Sequence, residues 1–304
     1  MNNQYKYTVA TRCFTYNHIH YIEDTLNGFV SQKTSFPMVY IIVDDASNDG
    51  EKELLYDWAN KHLYGAVNPI GWKCELYGTY VESKLKNNPN STFVIMLLNE
   101  NHFSRGKHFL KFDYMAKWLI SSKYLAVCEG DDYWKDPLKL QKQVDYLESH
   151  ESVNICVHNA IRMYDDGKSE LFNKKIKTGI YNLRKSLYMG WFTPTASFLY
   201  RNNIEVSQLW AKNGSNGDMA LLYSNLMKGD LYYFDDVMSV YNFGTPSSMS
   251  SSTKKSLLYR KKRGMLKSIN QLSKNKYILF TLPLIFVTYI KQAIWWFLVF
   301  IRLK

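Results

Sequence analysis

The stretch YLAVCEGDDYWKDPLKLQKQVDYLE, residues 124–148, joins an apolar strand to an amphipathic helix through an acidic turn. In that turn Glu129, Asp131 and Asp132 place three carboxylates within four residues. Carboxylates so close raise one another's pKa unless a cation neutralises them. Asp136, followed by proline, accounts for the helix start by itself. The turn is therefore either a solvated loop or a site for a hard divalent ion such as Mg²⁺ or Mn²⁺.

The first half of the chain alternates short apolar runs with helical ones. Runs that are apolar on both faces are typical of parallel strands covered on both sides. The alternation predicts an α/β fold with a mostly parallel open sheet flanked by helices, in which ligands bind beyond the carboxyl ends of the strands. The predicted strands are Tyr7–Cys13, Val39–Val43, Thr92–Leu98 and Tyr124–Cys128, and the predicted helices cover residues 19–30, 51–62, 74–86 and 107–121.

The second half of the chain predicts more strands in the same sheet and one helix. Residues 153–168 are typical of a strand that ends in a turn. Residues 191–200 and 230–243 are also expected to be extended, with a helix over residues 217–228 between them. Because no Pro-rich or Gly-rich linker intervenes, we expect a single domain over residues 1–250.

Charge separates the end of the chain from the rest. The formal net charge is +11, but residues 254–304 hold twelve of the 38 Lys and Arg residues and none of the 27 acids. The remainder is therefore close to neutral, which argues against a nucleic-acid-binding protein. We expect residues 251–304 to be a basic, apolar tail that associates with an anionic membrane surface.

Residues 277–301 are the apolar part of this tail. A spanning helix needs about 20 apolar residues, but Lys291 is costly inside a bilayer and Pro283 would kink the helix. Lys291 could instead snorkel, and the pair Trp295–Trp296 suits a membrane interface. We expect an interfacial or shallowly inserted amphipathic anchor, with a true span and a core or oligomer helix as alternatives.

The cysteines and the N-terminus indicate where the body of the protein lies. The four cysteines are widely separated and form no CxxC pair, which favours free thiols in a reducing compartment. The N-terminus lacks a charged segment followed by an apolar one. We therefore expect the cytoplasmic face of the inner or plasma membrane, with the protein peripheral or anchored by its tail.

Polar residues also follow the second and third predicted strands. Asp44 and Asp45 end the second strand, where a carboxylate can accept hydrogen bonds from a ribose hydroxyl or a base N–H; they are equally typical of a turn. Arg105 and Lys107 flank a glycine at the start of a predicted helix. Backbone N–H groups and cations at such a place favour phosphate.

These segments together resemble glycosyltransferase family 2. The matching motifs are TYN (residues 15–17), VDDASNDG (43–50), GK (106–107) and EGDDYW (129–134). The resemblance covers residues 5–245 and implies the GT-A nucleotide-sugar-binding fold, which is Rossmann-like, and an inverting transferase. The family pattern ends in a DxD-type metal motif, in which Glu129 here replaces the first Asp.

The resemblance implies a nucleotide-sugar site and a metal site that share the acidic turn. The metal, Mn²⁺ or Mg²⁺, would be held by Asp131 and Asp132, bridge the two phosphates and stabilise the leaving nucleoside diphosphate. A UDP-sugar is the first donor to consider. The implied donor-site residues are Tyr16, Asp44, Asp45, Arg105, Lys107, Glu129, Asp131 and Asp132.

An inverting transfer also needs a base for the acceptor hydroxyl. The resemblance assigns it to Asp218, at the start of the helix over residues 217–228, whereas the residues alone favour a helix cap. Asp230 and the pair Asp235–Asp236 are later alternatives.

The acceptor side and the end of the sheet carry the remaining family features. By the same resemblance, Trp191 and Thr195 lie on the acceptor side, although Trp191 suits the core equally well. The family's Tyr-Arg-x-His segment reads Tyr241-Asn242-Phe243-Gly244 here, without the Arg and the His.

We expect a metal-dependent, inverting glycosyltransferase. It would move a sugar from a nucleotide sugar to a hydroxyl of a glycan or lipid-linked acceptor, in the synthesis of bacterial surface polysaccharide. One alternative is a polyprenyl-phosphate sugar synthase, whose phosphate acceptor needs no strong base. Another is a membrane-tethered module that binds nucleotide sugars without catalysis, because function depends on the site and not on the fold.

Overall fold

The computed structural model describes residues 5–67, 71–203, 205–244 and 255–302, in which twelve strands form one sheet. The strands are β1 (Tyr7–Thr15), β2 (Met38–Asp44), β3 (Lys73–Glu75), β4 (Gly78–Leu85), β5 (Asn88–Leu98), β6 (Ser122–Val127), β7 (Tyr133–Trp134), β8 (Val153–Tyr164), β9 (Ser169–Leu171), β10 (Gly179–Tyr181), β11 (Leu199–Arg201) and β12 (Asp230–Phe243). The helices are α1 (Ile22–Val30), α2 (Glu51–His62), α3 (Leu110–Ile120), α4 (Lys139–Ser149), α5 (Leu183–Ser186), α6 (Leu209–Lys212), α7 (Gly217–Lys228), α8 (Lys255–Leu272) and α9 (Ile278–Arg302).

The strand order is β10-β12-β8-β11-β6-β1-β2-β5-β4-β3, with β7 beside β12 and β9 beside β8. The four neighbours β6, β1, β2 and β5 are parallel. The short β11 is antiparallel to both β6 and β8, so β8 runs in the same direction as β6, and β12 is parallel to β8. The expected α/β sheet is confirmed. Six of its strands run in the same direction and therefore end at one edge, namely β1, β2, β5, β6, β8 and β12.

The central strand β2 lies between two apolar layers, one on each face of the sheet. All seven of its residues are buried, as expected for a strand covered on both faces. Because side chains alternate along a strand, Tyr40 and Ile42 pack with α1, α2 and α4, whereas Val39 and Ile41 pack with α3. The Tyr40 ring lies 4.8 Å from Phe29 of α1. The helices predicted over residues 19–30, 51–62 and 107–121 are confirmed within a few residues, and so are the strands on either side of them.

The helix predicted over residues 74–86 is wrong. This segment is the hairpin β3–β4, and β4 pairs antiparallel with β5. Gly78 has φ +152°, and a side chain there would collide with the backbone of Leu97, so the close approach of the two strands requires glycine. Val81 and Leu85 then enter the core beneath α2. Pairing with β5, which lies later in the chain, determines the structure of this segment.

The strands and the helix predicted for the second half are confirmed, except over residues 191–200. Strand β8 ends in the expected turn, and α7 and β12 have the expected bounds. Between them, Thr195–Ser197 form a short 3-10 turn, and the strand begins only at Leu199. The turn is stabilised by a buried hydrogen bond of 2.6 Å between the hydroxyls of Thr193 and Ser197.

The last two helices form a hairpin that packs on the body, and most of its buried residues are on the first helix. Met265, Leu266 and Ile269 of α8 are fully buried in the apolar cluster that also contains α7. In the described residues one helix, Ile278–Leu298, is long and apolar enough to cross a membrane, and 11% of it is buried. The expected boundary between residues 250 and 251 falls within residues 245–254, outside the described part of the chain.

Candidate active site

The loops that follow β1, β2 and β6 meet at one edge of the sheet, because these strands are parallel neighbours. Two backbone hydrogen bonds of 2.9 Å join the loops: Asp45 donates to Thr15, and Gly130 donates to Phe14. A side chain at Gly130 would collide with Thr15, so the acidic turn lies directly against the end of β1. This is the edge at which open α/β sheets bind ligands.

Glu51, the first residue of α2, connects two of these loops and was not predicted. Its buried carboxylate accepts hydrogen bonds from the hydroxyl of Thr15, from the N–H of His18 at 2.8 Å, and from the hydroxyl of Ser47 at 3.0 Å. Sequence alone presents Glu51 as an ordinary acid in a first helical turn. In the folded chain it fixes the loop after β1 against the loop after β2.

Asp44 and Asp45, at the end of β2, have different surroundings. Asp44 accepts hydrogen bonds from the N–H of Ser47 at 3.2 Å and from the Ser47 hydroxyl. Burial raises the pKa of Asp44 to about 7, although these hydrogen bonds oppose the rise. Asp44 therefore stabilises its own turn. Asp45 reaches the loop after β5, where the N–H groups of His102 and Phe103 donate to it at 2.8 and 3.1 Å.

Lys111 of α3 is the cation at Asp45. Its ammonium group lies 2.9 Å from the Asp45 carboxylate, and both side chains are at most 5% exposed. Arg105 and Lys107, the cations expected at the donor, instead pair with Glu100 on the surface at 3.2 and 2.5 Å. The hydrogen bond from Lys107 lowers the pKa of Glu100. Tyr16 follows β1 directly, and 36% of its surface is exposed.

Replacing Lys111 by Met is expected to destabilise the protein by about 3–5 kcal/mol, because a buried carboxylate would lose its cation. The loop after β5 should loosen as well, and nucleotide affinity should fall with it. Thermal unfolding and nucleotide titration measure the two effects. For thermal unfolding, Lys107→Met is the matched control, since its ion pair is exposed and should contribute little to stability. Equal losses of stability in the two variants would contradict this assignment.

Glu129 is neutralised within the protein. Arg12 of β1, which was not predicted, donates to its carboxylate at 3.0 Å, and the N–H of Phe14 donates at 2.9 Å. Burial raises the pKa of Glu129, and the charge of Arg12 opposes this rise. The longer side chain at the first position of the acidic motif thus forms an ion pair with the neighbouring strand.

Asp131 and Asp132 point to different partners. Asp132 is buried, and its Oδ1 accepts the N–H of Asn242 at 3.1 Å; burial and the nearby Asp131 raise the pKa of Asp132 well above its usual value. The Asp131 side chain is 18% exposed, with its carboxylate 4.0 Å from the imidazole of His18. The amide of Asn242 also donates to the Asp131 carbonyl at 2.7 Å. Asn242 therefore holds the acidic turn through two hydrogen bonds.

Asp218 shares the electrostatic environment of the acidic turn. It is the second residue of α7, and Asn216 occupies the N-cap position, so Asp218 is not the cap. Burial raises the pKa of Asp218, and the charges of Arg12 and Lys261 oppose the rise. The charge of Asp218 in turn raises the pKa values of Glu129 and Asp132. The charge of Asp218 and the charges of the acidic turn therefore act on each other.

The alternative bases lie elsewhere. Asp230 opens β12, whose amino end is at the opposite edge of the sheet from Asn242. Asp235 forms an exposed ion pair with Lys177 at 3.2 Å. This arrangement favours Asp218 among the acids that follow the turn.

A cleft of about 180 Å³ lies next to Asp218. Trp191, Asn216 and Met219 line it on the side of α7, and α8 forms the opposite wall. The half-buried Trp191 ring also lies 6.3 Å from Phe198, so it contributes to both the cleft and the core. Thr195 begins the 3-10 turn behind Trp191 and is partly exposed.

The acidic turn supplies few ligands for a metal by itself. Within the described residues, no three His, Cys, Asp or Glu side chains converge as a metal site. The carboxylates of Asp131 and Asp132 are hard oxygen donors of the kind that Mg²⁺ and Mn²⁺ prefer, and these ions commonly take only one or two carboxylates and complete their coordination with substrate phosphates and water. The residues fit a cation that binds together with a diphosphate.

Comparisons with known proteins agree with this architecture. Crystal structures of S. aureus TarS in complex with UDP-GlcNAc and with UDP match with TM-scores of 0.55 and 0.53, at 15% and 13% identity. Each match covers 86% of this chain, and 66% and 65% of the TarS chains. This chain has the GT-A fold. The expected fold class is thus confirmed.

Sequence comparison adds relatives without a known function. No family model matches the chain. Uncharacterized proteins of Mycobacterium bovis and Mycobacterium tuberculosis are 29% identical over 227 residues, which is 75% of this chain. The chain spans 56% of the length of these relatives.

Proposed function

We propose that the protein is an inverting, metal-dependent glycosyltransferase that moves a sugar from a nucleotide sugar to a hydroxyl of a glycan or lipid-linked acceptor. The observation that carries the proposal is the meeting of the loops after β1, β2 and β6 at one edge of the sheet, which sets Asp131 and Asp132 against the end of β1. The charge of Asp218 raises the pKa values of Glu129 and Asp132, and a carboxylate near a pair that can hold a cation is what a direct displacement requires. We further propose that the reaction belongs to bacterial surface polysaccharide synthesis.

The donor would bind across the loops after β1, β2 and β5. Asp45 would approach the nucleoside, and its bonds to Lys111 and to the backbone of His102 hold it in place. The TarS complexes contain UDP and UDP-GlcNAc, which makes UDP-sugars the first donors to test. Arg105 and Lys107 would have to leave Glu100 to contact a diphosphate.

Asp131 and Asp132 would hold the Mn²⁺ or Mg²⁺ ion. When bound, such an ion neutralises the charge that builds on the leaving nucleoside diphosphate. Asp131 has the more accessible carboxylate of the two. Asn242 and Gly130 keep the acidic turn against β1, so the carboxylates are oriented before the donor arrives.

Asp218 would act as the general base. Its carboxylate takes the proton from the acceptor hydroxyl while that oxygen forms a bond to the anomeric carbon. The bond from this carbon to the diphosphate oxygen breaks, and the electron pair leaves with the nucleoside diphosphate. Attack from the face opposite the leaving group inverts the anomeric centre. The raised pKa of Asp218 makes it a stronger base than an exposed Asp.

The helix α9 would attach the enzyme to the cytoplasmic face of the membrane. Its 25 residues are about 37 Å long, and large apolar side chains on it are exposed. Cations on α8 and α9 would meet anionic lipid. An interfacial anchor remains the proposed arrangement, and a span is the alternative that the length allows. The exposed apolar side chains of α9 include Leu279, Leu282, Phe286, Ile290, Trp296 and Phe297.

Nucleotide titration tests the proposal directly. We would titrate the full chain in detergent with UDP, GDP, CDP and TDP by calorimetry, with and without Mn²⁺. Tight binding of one nucleotide that depends on Mn²⁺ is the expected result. If none of the four nucleotides binds, or if Mn²⁺ does not change their binding, the acidic turn is only a structural loop. The proposal then loses its basis.

A further inference from the structure

The cleft beside Asp218 has an unusual composition for a surface hollow. One wall is largely apolar, with Leu187, Trp191 and Met219 among its residues, and Met265 of α8 adds to the apolar lining. The other wall carries two neighbouring cations of α8, Lys261 and Lys262. A hollow with an apolar wall and a cationic wall is complementary to a ligand that has an apolar part and an anionic part.

The cations at the cleft lack acids on their own helices. The part of the chain that contains α8 and α9 has no Asp or Glu. Burial lowers the pKa of Lys262, and the charge of Lys291 on α9 lowers it further, so these two cations lie close enough to repel each other. Lys261 is near the carboxylate of Asp218. An anion bound here would relieve the repulsion between the ammonium groups.

The hairpin brings exposed apolar side chains close to the helix that lines the cleft. Arg263 donates to Gln292 at 2.7 Å and stacks over Tyr289 at 4.2 Å, which fixes α9 alongside the part of α8 that lines the cleft. On α9, Phe286 and Ile290 nearby are exposed. A lipid in a membrane contacted by α9 could therefore place its headgroup at Lys261 and Lys262.

We propose that this cleft binds the phosphate or diphosphate of a lipid-linked acceptor. Lys261 and Lys262 contact the anion, with Lys291 at its edge, and the first carbons of the lipid chain lie against Trp191 and Met265. A sugar attached to that diphosphate reaches Asp218, since Asn216 and Met219 on either side of it line the same cleft. This inference rests on the proposed function and specifies its acceptor as a short lipid-linked sugar.

Binding of three probes to the unaltered full chain in detergent micelles tests the proposal. The probes are farnesyl diphosphate, farnesol and inorganic diphosphate. Farnesyl diphosphate is expected to bind at least about tenfold more tightly than either of the others, because only it engages both walls. If farnesol binds as tightly as farnesyl diphosphate, the cleft recognises only the apolar chain. If inorganic diphosphate binds as tightly, the cleft recognises only the anion. Either result overturns the proposal.

A charge-matched pair of variants locates the site. Lys261→Gln/Lys262→Gln should weaken farnesyl diphosphate binding at least about tenfold. Lys274→Gln/Lys276→Gln removes the same charge from exposed positions at the turn between α8 and α9, and should leave binding within about twofold of the unaltered chain. If both double variants lose the same affinity for farnesyl diphosphate, the ligand is attracted by the overall charge of the hairpin. That result would contradict a specific site at Lys261 and Lys262.

Titration with UDP and Mn²⁺ separates this inference from the proposed function. The Lys261→Gln/Lys262→Gln variant should bind the nucleotide as the unaltered chain does. If the nucleotide binds and farnesyl diphosphate does not, the acceptor inference is wrong while the glycosyltransferase proposal stands. If farnesyl diphosphate binds and no nucleotide does, the glycosyltransferase proposal is wrong. The cleft then binds a lipid phosphate, but not as the acceptor of a sugar.

Discussion

Asp218→Asn is expected to lower turnover by about 10²- to 10⁴-fold, the usual contribution of a general base. The amide has the shape of the carboxylate but cannot take the acceptor proton. Nucleotide affinity should be nearly unchanged if Asp218 serves the acceptor as proposed, and thermal unfolding should not shift downwards, since a partly buried charge is removed. Turnover is measured as nucleoside diphosphate released from the donor that binds most tightly, with a membrane lipid extract as acceptor.

Asp235→Asn is the matched control for this experiment. It makes the same chemical change in an exposed ion pair with Lys177, away from the acidic turn, and should leave turnover unaffected. If Asp218→Asn keeps most of its activity, the acceptor carries its own negative charge and needs no base. The polyprenyl-phosphate alternative would then replace the hydroxyl acceptor.

Asp131→Asn is expected to abolish most of the effect of Mn²⁺ on nucleotide binding. Loss of a residue that only supports a ligand costs about 10- to 100-fold in metal affinity, so loss of a ligand should cost at least as much. The variant should still fold, since Gly130 and Asn242 hold the acidic turn through backbone groups. Calorimetry with and without Mn²⁺ measures the loss, and circular dichroism verifies the fold.

Glu129→Gln distinguishes the roles within the acidic turn. Because Arg12 and the N–H of Phe14 already bond to Glu129, this variant should retain the Mn²⁺ effect while losing thermal stability. Retention of the Mn²⁺ effect in Asp131→Asn together with its loss in Glu129→Gln would reverse the assignment of the metal ligand.

The central strands were predictable because burial on both faces leaves a continuous apolar run. Strand β2 is the clearest case, since no polar residue interrupts it before Asp44. The family motifs lie at the ends of β1, β2 and β6, where the loops do meet. Among the acids that follow the turn, the resemblance alone favours Asp218 as the base, and its role stays a prediction.

The misses involve partners that are far apart in sequence. Lys111 is 66 residues from Asp45, and Arg12 is 117 residues from Glu129. Neither cation stands in a recognisable motif, whereas Lys107 does and was chosen instead. The hairpin β3–β4 was mistaken for a helix because its stability comes from pairing with β5, which a local pattern does not contain.

The burial of α8 has a practical consequence for anyone who purifies this protein. Ending the chain before residue 255, the obvious way to improve solubility, would uncover the apolar surfaces now covered by Met265, Leu266 and Ile269. The shortened protein should precipitate or unfold more readily, since each such side chain contributes about 1.5–3 kcal/mol when buried. A better variant would keep both helices and replace only the exposed leucines and phenylalanines of α9 with polar residues.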